Sequence, residues 1–483
     1  MGVAGLRVSA YGAVACIACA SVARAGEFNY GADLGIGYTD NINQSINKVS
    51  EEIAEEGVQF SGLEQSSRLQ AEVVGDLEHL NFLQGTNSPE VIGNLSGFAG
   101  LTLIPEYLKW TLQDYFGQGV TDPFAPPSPG NREDINSVST GPTLTLPLNT
   151  HEFLTLNGGY TLVTYQTSPL SSNQFNGGFS FTELLSQLSR VSFNVDDRRY
   201  DFQNDTLNPD YDQRDVYVRY QATGARTRLI ADLGYDQIRG DQSYNAGGFL
   251  GRLTVIRTLA AQSTLTVTAG REFSSSSSFV SQSQNVNGIG LATTPGQQTS
   301  TPFTNQYITG AWTFTRPRTT FSVLLSHYQQ TYQGDDALDQ TLTSGGVHVT
   351  RILFPAWSAG LYVDYSKETF AAQTAGNYRQ VDGGVDVKWQ LGRKFSLALQ
   401  YQYYKRNGEQ DLYNVSENRV FLRLQYGSAA LRSSLIQGGL TPGDSSLAAP
   451  FDPTQMQVPT PTPMSPLTAP PAPPLNVPAP SPP

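Results

Sequence analysis

The stretch Phe28-Asn29-Tyr30-Gly31-Ala32-Asp33-Leu34-Gly35-Ile36-Gly37-Tyr38 sets an apolar residue at every second position, with small or polar residues between. Near the other end, Phe395, Leu397, Leu399, Tyr401 and Tyr403 alternate with Ser396, Ala398, Gln400 and Gln402. Successive side chains of a strand point to opposite faces, so a period of two over about ten residues means one greasy face and one wet face. About twenty such segments follow one another from Phe28 to Tyr426. After a secretory leader, a greasy face repeated that often meets lipid, and the economical reading is an all-β chain closed into an outer-membrane barrel. In that register Leu399 faces lipid and Gln400 the interior, so an Arg is costly at the first and near neutral at the second.

The leader is legible. Arg7 supplies the positive start, an apolar run covers residues 8–20, and Ala23-Arg24-Ala25 forms an A-x-A cleavage site before Gly26. Both cysteines, Cys16 and Cys19, lie inside residues 1–25, the expected signal peptide. A lipoprotein processing site would want Leu three residues before the cysteine, and Ala13 precedes Cys16 instead. The mature chain then carries no thiol, which excludes disulfides and thiolate metal sites. Cleavage removes two arginines and no acids, so the formal charge of −12 becomes −14. That balance argues against nucleic-acid binding. No later segment has the eighteen apolar residues a membrane helix needs.

Strands are expected over 28–38, 56–64, 67–80, 93–104, 107–117, 137–147, 153–165, 174–183, 189–199 and 214–223. They continue over 226–236, 245–256, 262–273, 305–315, 319–331, 340–350, 356–366, 378–389, 395–405 and 418–427. These make an up-and-down meander of twenty strands within 26–427, an even number as bacterial single-chain barrels require. The alternation is shortest at 56–64, and without it the count would be odd. Short turns such as Pro105-Glu106 and Gly224-Ala225 alternate with long links at 39–55, 118–136, 200–213, 274–304, 366–377 and 406–417. Short turns mark the periplasmic end of such barrels, which would put both termini there and the long loops outside. The Pro/Gly-rich loop 118–136 and the Ser/Gln/Gly-rich loop 274–304 can hang outward, the simpler reading, or fold inward to constrict the pore.

Residues 428–483 form a separate tail, in which 441–483 carries fifteen prolines in forty-three residues. Such a composition favours extended polyproline II and builds no core, so the tail reads as disordered, or as a spacer toward a periplasmic export component or the cell wall.

The first strand with its Tyr38-Thr39-Asp40-Asn41-Ile42 ending resembles the opening of the β-barrel porin 2 family. Trp110-Thr111-Leu112-Gln113-Asp114-Tyr115-Phe116, with Asp122-Pro123 behind it, resembles the same family. That family is similar to outer-membrane barrels of exopolysaccharide synthesis and export, so the resemblance implies a polysaccharide-linked role. The proline tail is not part of the family pattern.

No catalytic, metal or cofactor constellation is evident. His79, His151, His327 and His348 stand apart from any nucleophile elbow or metal spacing. His348 suits an interior polar position better than a barrel-enzyme dyad. Asp196-Asp197 and Asp335-Asp336 are adjacent pairs, and neighbours on a strand point apart. The informative chemistry is the inner face. Arg190, Asp196 and Arg198, then Asp215, Tyr217 and Arg219, then Arg228 and Asp232 are expected inside, with Glu72 and Asp76 on the third strand. Such mixed charges can be ion-pair ladders that stiffen the wall or a hydrated track for a sugar polymer. Tyr38, Trp110, Tyr160, Tyr235, Trp312, Trp357, Trp389 and Tyr426 read as interface girdles. Two functions survive: a conduit for exported polysaccharide or small solutes, and a structural or surface-binding barrel. An enzyme is not expected, and outer-membrane lipid is an expected partner.

Overall fold

The computed structural model describes residues 27–204, 208–240, 245–276, 299–371, 376–409 and 414–427. The expected signal peptide, the proline tail and most of loop 274–304 lie outside them. Twenty strands run in chain order. The first ten are β1 (Glu27–Thr39), β2 (Glu51–Gln65), β3 (Leu69–Phe82), β4 (Glu90–Ile104), β5 (Leu108–Val120), β6 (Arg132–Pro147), β7 (Glu152–Tyr165), β8 (Ser172–Ser186), β9 (Ser189–Phe202) and β10 (Tyr211–Thr223). The second ten are β11 (Thr227–Gly240), β12 (Asn245–Ala260), β13 (Ser263–Ser274), β14 (Phe303–Arg316), β15 (Thr319–Tyr332), β16 (Gln340–Phe354), β17 (Trp357–Phe370), β18 (Tyr378–Gln390), β19 (Phe395–Gly408) and β20 (Val415–Gly427). Each pairs antiparallel with its chain neighbour, and β20 returns to β1 in register from Gly31↔Gly427 to Thr39↔Arg419. The sheet has no free edge, as closure in lipid demands, because the hydrocarbon offers backbone groups no partner.

Every expected strand is present, and the largest difference is at β2, which starts at Glu51. The pattern there is unreadable from sequence because it is inverted. Ile53 turns inward beneath the loop 40–50 and is 1% exposed, while Glu52 and Glu56 take the outward register. The connections at one end of the barrel, such as 187–188, 261–262 and 317–318, have two to four residues, while those at the other end are longer except for the four-residue link 241–244 between β11 and β12.

The distribution of polarity is that of a membrane barrel. Leu34, Leu233 and Leu325 on the outer register are more than 60% exposed, whereas Asp215, Asp232, Glu55 and Asn194 on the inner register are 3% or less. A lipid environment rewards that inversion and water does not. The four tryptophans expected as girdle residues sit outward toward the short-turn end, with Trp357 and Trp389 stacked at 5.3 Å and 7°. Tyr38, Tyr160, Tyr235, Tyr365 and Tyr401 lie outward nearer the long-loop end.

A recurrent device closes the long-loop end. The residue just before a returning strand turns its side-chain oxygen back to a backbone N–H of the strand or loop before it. Asp210 accepts from Phe202 N at 2.9 Å, Asp339 from Tyr332 N at 2.7 Å, Asn377 from Phe370 N at 2.9 Å and Asn414 from Gly408 N at 2.8 Å. Such short side chains satisfy backbone donors that the ladder leaves behind at a turn.

Candidate functional site: the barrel interior and its mouth

The seam between β20 and β1 is bridged from inside. Arg423 on β20 reaches over β1 to Glu55 on β2, with Nε–Oε1 at 2.5 Å and Nη2–Oε2 at 2.8 Å, and its Nη1 donates to Gln400 at 2.5 Å. The crossing is possible because the intervening residue is Gly35, where an added Cβ would stand 3.1 Å from the arginine stem and 3.4 Å from Glu55. Gly37 likewise gives passage to the Phe421 ring, and Gly57 to the Asp33 carboxylate. The glycines of the first strand are therefore notches through which side chains of neighbouring strands meet. The neutrality expected at Gln400 gives way here, since Gln400 is a partner of Arg423 rather than a free lumen residue. Glu78 approaches the same guanidinium at 4.0 Å, and Gln59 donates to Asp33 at 3.1 Å. One cation thus faces the carboxylates of Glu55 and Glu78, with Asp33 and Asp76 in the adjacent rows of the ladder.

A second network fills the wall from β9 to β14 and takes in most of the residues singled out in the sequence. Arg219 holds Asp232 through Nε–Oδ1 at 2.7 Å and Nη2–Oδ2 at 2.8 Å. Arg252 joins the same carboxylate at 2.9 Å and Glu272 at 3.1 Å, and Tyr307 donates to Glu272 at 3.1 Å. Tyr217 lies under both guanidiniums, 4.8 Å from Arg252 and 5.4 Å from Arg219, and donates its hydroxyl to Asp196 at 3.0 Å. Asp215 stands directly across the ladder from Asp196, and Arg198 one row on, opposite Gln213. Arg190 donates to Gln221. Arg228 shares the inward register but is exposed at the short-turn mouth. Glu72 and Asp76 belong to β3, beside the first network, so the ten residues fall into two patches on different parts of the wall. Arg252, Glu272 and Tyr307 are members that the sequence reading left out; each alternates with outward residues of its strand, which was the available signal. Asp197 points outward to Arg214 at 2.8 Å, apart from Asp196. His348 faces inward and meets Asp364 at 2.9 Å.

The mouth is narrowed by chain folded inward. The loop 121–131 leaves β5, crosses the opening and reaches the wall formed by β17, β18 and β19. There Arg406 donates to three successive carbonyl oxygens, of Pro123 at 3.4 Å, Phe124 at 2.5 Å and Ala125 at 2.9 Å. Its guanidinium rests 3.4 Å from the centre of the Tyr378 ring, and Phe124 packs edge-on against Phe370 at 4.8 Å. Asn131 holds the loop's own shape by donating to the carbonyls of Asp122 and Pro126 at 2.8 and 3.0 Å and accepting from Asp122 N at 2.7 Å. The simpler outward reading of this loop is corrected. Its Arg406 contacts lie more than 280 positions downstream and Phe370 lies well over two hundred, so nothing local announces them. The loop 40–50 also turns in: Ile42, 2% exposed, packs with Ile53, Leu80, Phe82, Ile92 and Phe421. Asp40 accepts from Asn418 N at 2.8 Å, and Asn41 donates to the Ser416 carbonyl at 3.0 Å. The Tyr-Thr-Asp-Asn-Ile segment thus folds one loop onto the seam.

No family model matches this chain, and no curated protein does. The resemblance to the β-barrel porin 2 family therefore rests on its two short segments. Among solved structures the chain is similar to the FrpB iron transporter from Neisseria meningitidis (F3-3 variant), at 10% identity and TM-score 0.43, over 83% of this chain and 81% of that one. It is similar to the siderophore receptor PirA from Pseudomonas aeruginosa at 12% identity and TM-score 0.38, over 82% and 80% of the two chains. A loop-deletion mutant of OmpT, an outer membrane protein of Vibrio cholerae, gives 11% identity and TM-score 0.32, over 83% and 99%.

Proposed function

We propose that the protein is an outer-membrane channel with a constricted mouth, and that its cargo is a hydrophilic chain of the exopolysaccharide class moving outward. The observation that carries the channel reading is the loop 121–131 bolted across the opening by Arg406 above a polar interior. Barrels of sixteen or more strands enclose water, so an inward loop sets the effective bore. A wall of Arg, Asp, Glu, Gln and Tyr supports a sugar cargo, because these groups exchange hydrogen bonds with hydroxyls and carboxylates. The two sequence segments that resemble the porin family point the same way. On this reading the short-turn end faces the periplasm, and the tail 428–483 lies on the side where a polymer would be delivered by an export partner.

Planar-bilayer recording tests the channel. Wild-type protein should show stepwise openings, and Arg406→Ala should open to a larger conductance because the loop loses its anchor. Absence of openings in both proteins would leave a structural or surface-binding barrel. A deletion strain tests the cargo. Secreted polysaccharide should fall, and an unchanged yield with reduced uptake of small sugars would replace export by a diffusion porin.

A further inference from the structure

On the outer surface near the long-loop end, Lys367 of β17, Arg379 of β18 and Lys405 of β19 form an unbalanced basic patch. Lys367 and Arg379 are direct partners across the ladder, and Lys405 sits diagonally, opposite Val381. All three are exposed, and their strand registers place them outward with Tyr365, Tyr401 and Tyr403. Like charges directly opposite on a sheet repel, and none of the three has a hydrogen-bond or ion-pair partner among the described residues. Glu409, just past the end of β19, accepts from Asn377 at 2.7 Å. The same height on β9 and β10 is arranged otherwise. Arg214 bonds Asp197 at 2.8 Å, and Arg199 meets Asp212 at 3.4 Å and Asp210 at 3.7 Å. Among the described residues, the barrel thus neutralises outward arginines with its own acids at one place and leaves three cations without an acid partner at another.

We infer that Lys367, Arg379 and Lys405 bind the phosphate of a lipid headgroup in the leaflet around the long-loop end. Their height supports that source. They stand just beyond the outward tyrosines, the level at which aromatic girdles meet headgroups. A clustered set of Lys and Arg at that level attracts anionic lipid by roughly a kcal/mol-scale step per residue, which corresponds to about fivefold in binding for each charge. An anion between Lys367 and Arg379 removes the repulsion that the sheet register imposes. The inference rests on the membrane reading above, but not on the channel or its cargo.

The test uses the full barrel folded in neutral phosphatidylcholine vesicles, with three probes: a diphosphorylated acyl glycolipid, its dephosphorylated counterpart, and inorganic phosphate. Wild type should retain the phosphorylated glycolipid through native mass spectrometry and co-purification, in preference to the dephosphorylated form. Lys367→Gln/Arg379→Gln/Lys405→Gln should lower that retention by on the order of tenfold or more. Arg214→Gln, at the internally paired rim, should leave it unchanged. Unaltered gel mobility of the folded barrels establishes that each variant has inserted, so a failure of insertion is read separately from a failure of binding. Equal retention of the two glycolipids, or an undiminished triple variant, overturns the site. Competition by inorganic phosphate at equal concentration overturns the lipid as its source.

Discussion

Removing Arg423 should be the most damaging single change in the barrel wall. Its side chain is 10% exposed and that of Glu55 is fully buried, and they are joined by two charge-assisted hydrogen bonds. Arg423→Met leaves Glu55 and Glu78 facing each other without a cation, with Asp33 and Asp76 in adjoining rows. Breaking a buried pair by deleting one partner costs about 3–5 kcal/mol, because the orphaned charge stays desolvated. The damage falls on closure itself, since the bridge spans from β20 over β1 to β2. Arg423→Met/Glu55→Gln removes the orphaned charge, so it should sit above the sum of the single changes, with a coupling within about 0.5–3 kcal/mol. Folding into lipid vesicles under urea titration, read by tryptophan fluorescence, supplies all four free energies. A stability of Arg423→Met within about 0.5 kcal/mol of wild type, the scatter of inert surface changes, would refute the claim that this pair holds the seam.

Other consequences can be checked with the same assay or in bilayers. Gly37→Leu drives a side chain into the Phe421 ring and should cost about 1–3 kcal/mol as overpacking, whereas Gly177→Ala, with open space around its Cβ, should stay within about 0.5 kcal/mol of wild type. Leu399→Arg, at an outward position 52% exposed, should cost about 2–4 kcal/mol near mid-membrane, and a near-neutral result would mean that this face does not meet lipid. Asn131→Ala deletes the internal bonds of loop 121–131 but spares Arg406, so single-channel records should show flickering current at little change in stability. A quiet trace would mean that the Arg406 contacts alone fix the loop.

The strands were legible because lipid on one side and water on the other impose a period of two along the whole chain, and each segment reports it locally. Leu397, Leu399 and Tyr401 needed no partner to be read as outward, nor Gln400 and Gln402 as inward. The start of β2 escaped because Glu51, Glu52, Glu55 and Glu56 put like residues on both faces, and only the folded loop 40–50 makes Ile53 an interior residue. Inward orientation of Arg219, Asp232 and Tyr217 could be read strand by strand, but which groups pair depends on cross-strand register, and sequence alternation is blind to a shift of two. The glycines of β1 looked like features of a motif, and their reason lies in Arg423 and Phe421, nearly four hundred residues away. Loop 121–131 is the clearest case. Its prolines and glycine announce a loop, but its fold across the mouth depends on Arg406, Tyr378 and Phe370, which barrel closure alone brings within reach. Alternation is a local consequence of solvent on either side of one strand, whereas the bore is set by contacts between segments distant in sequence, and only the closed barrel decides those.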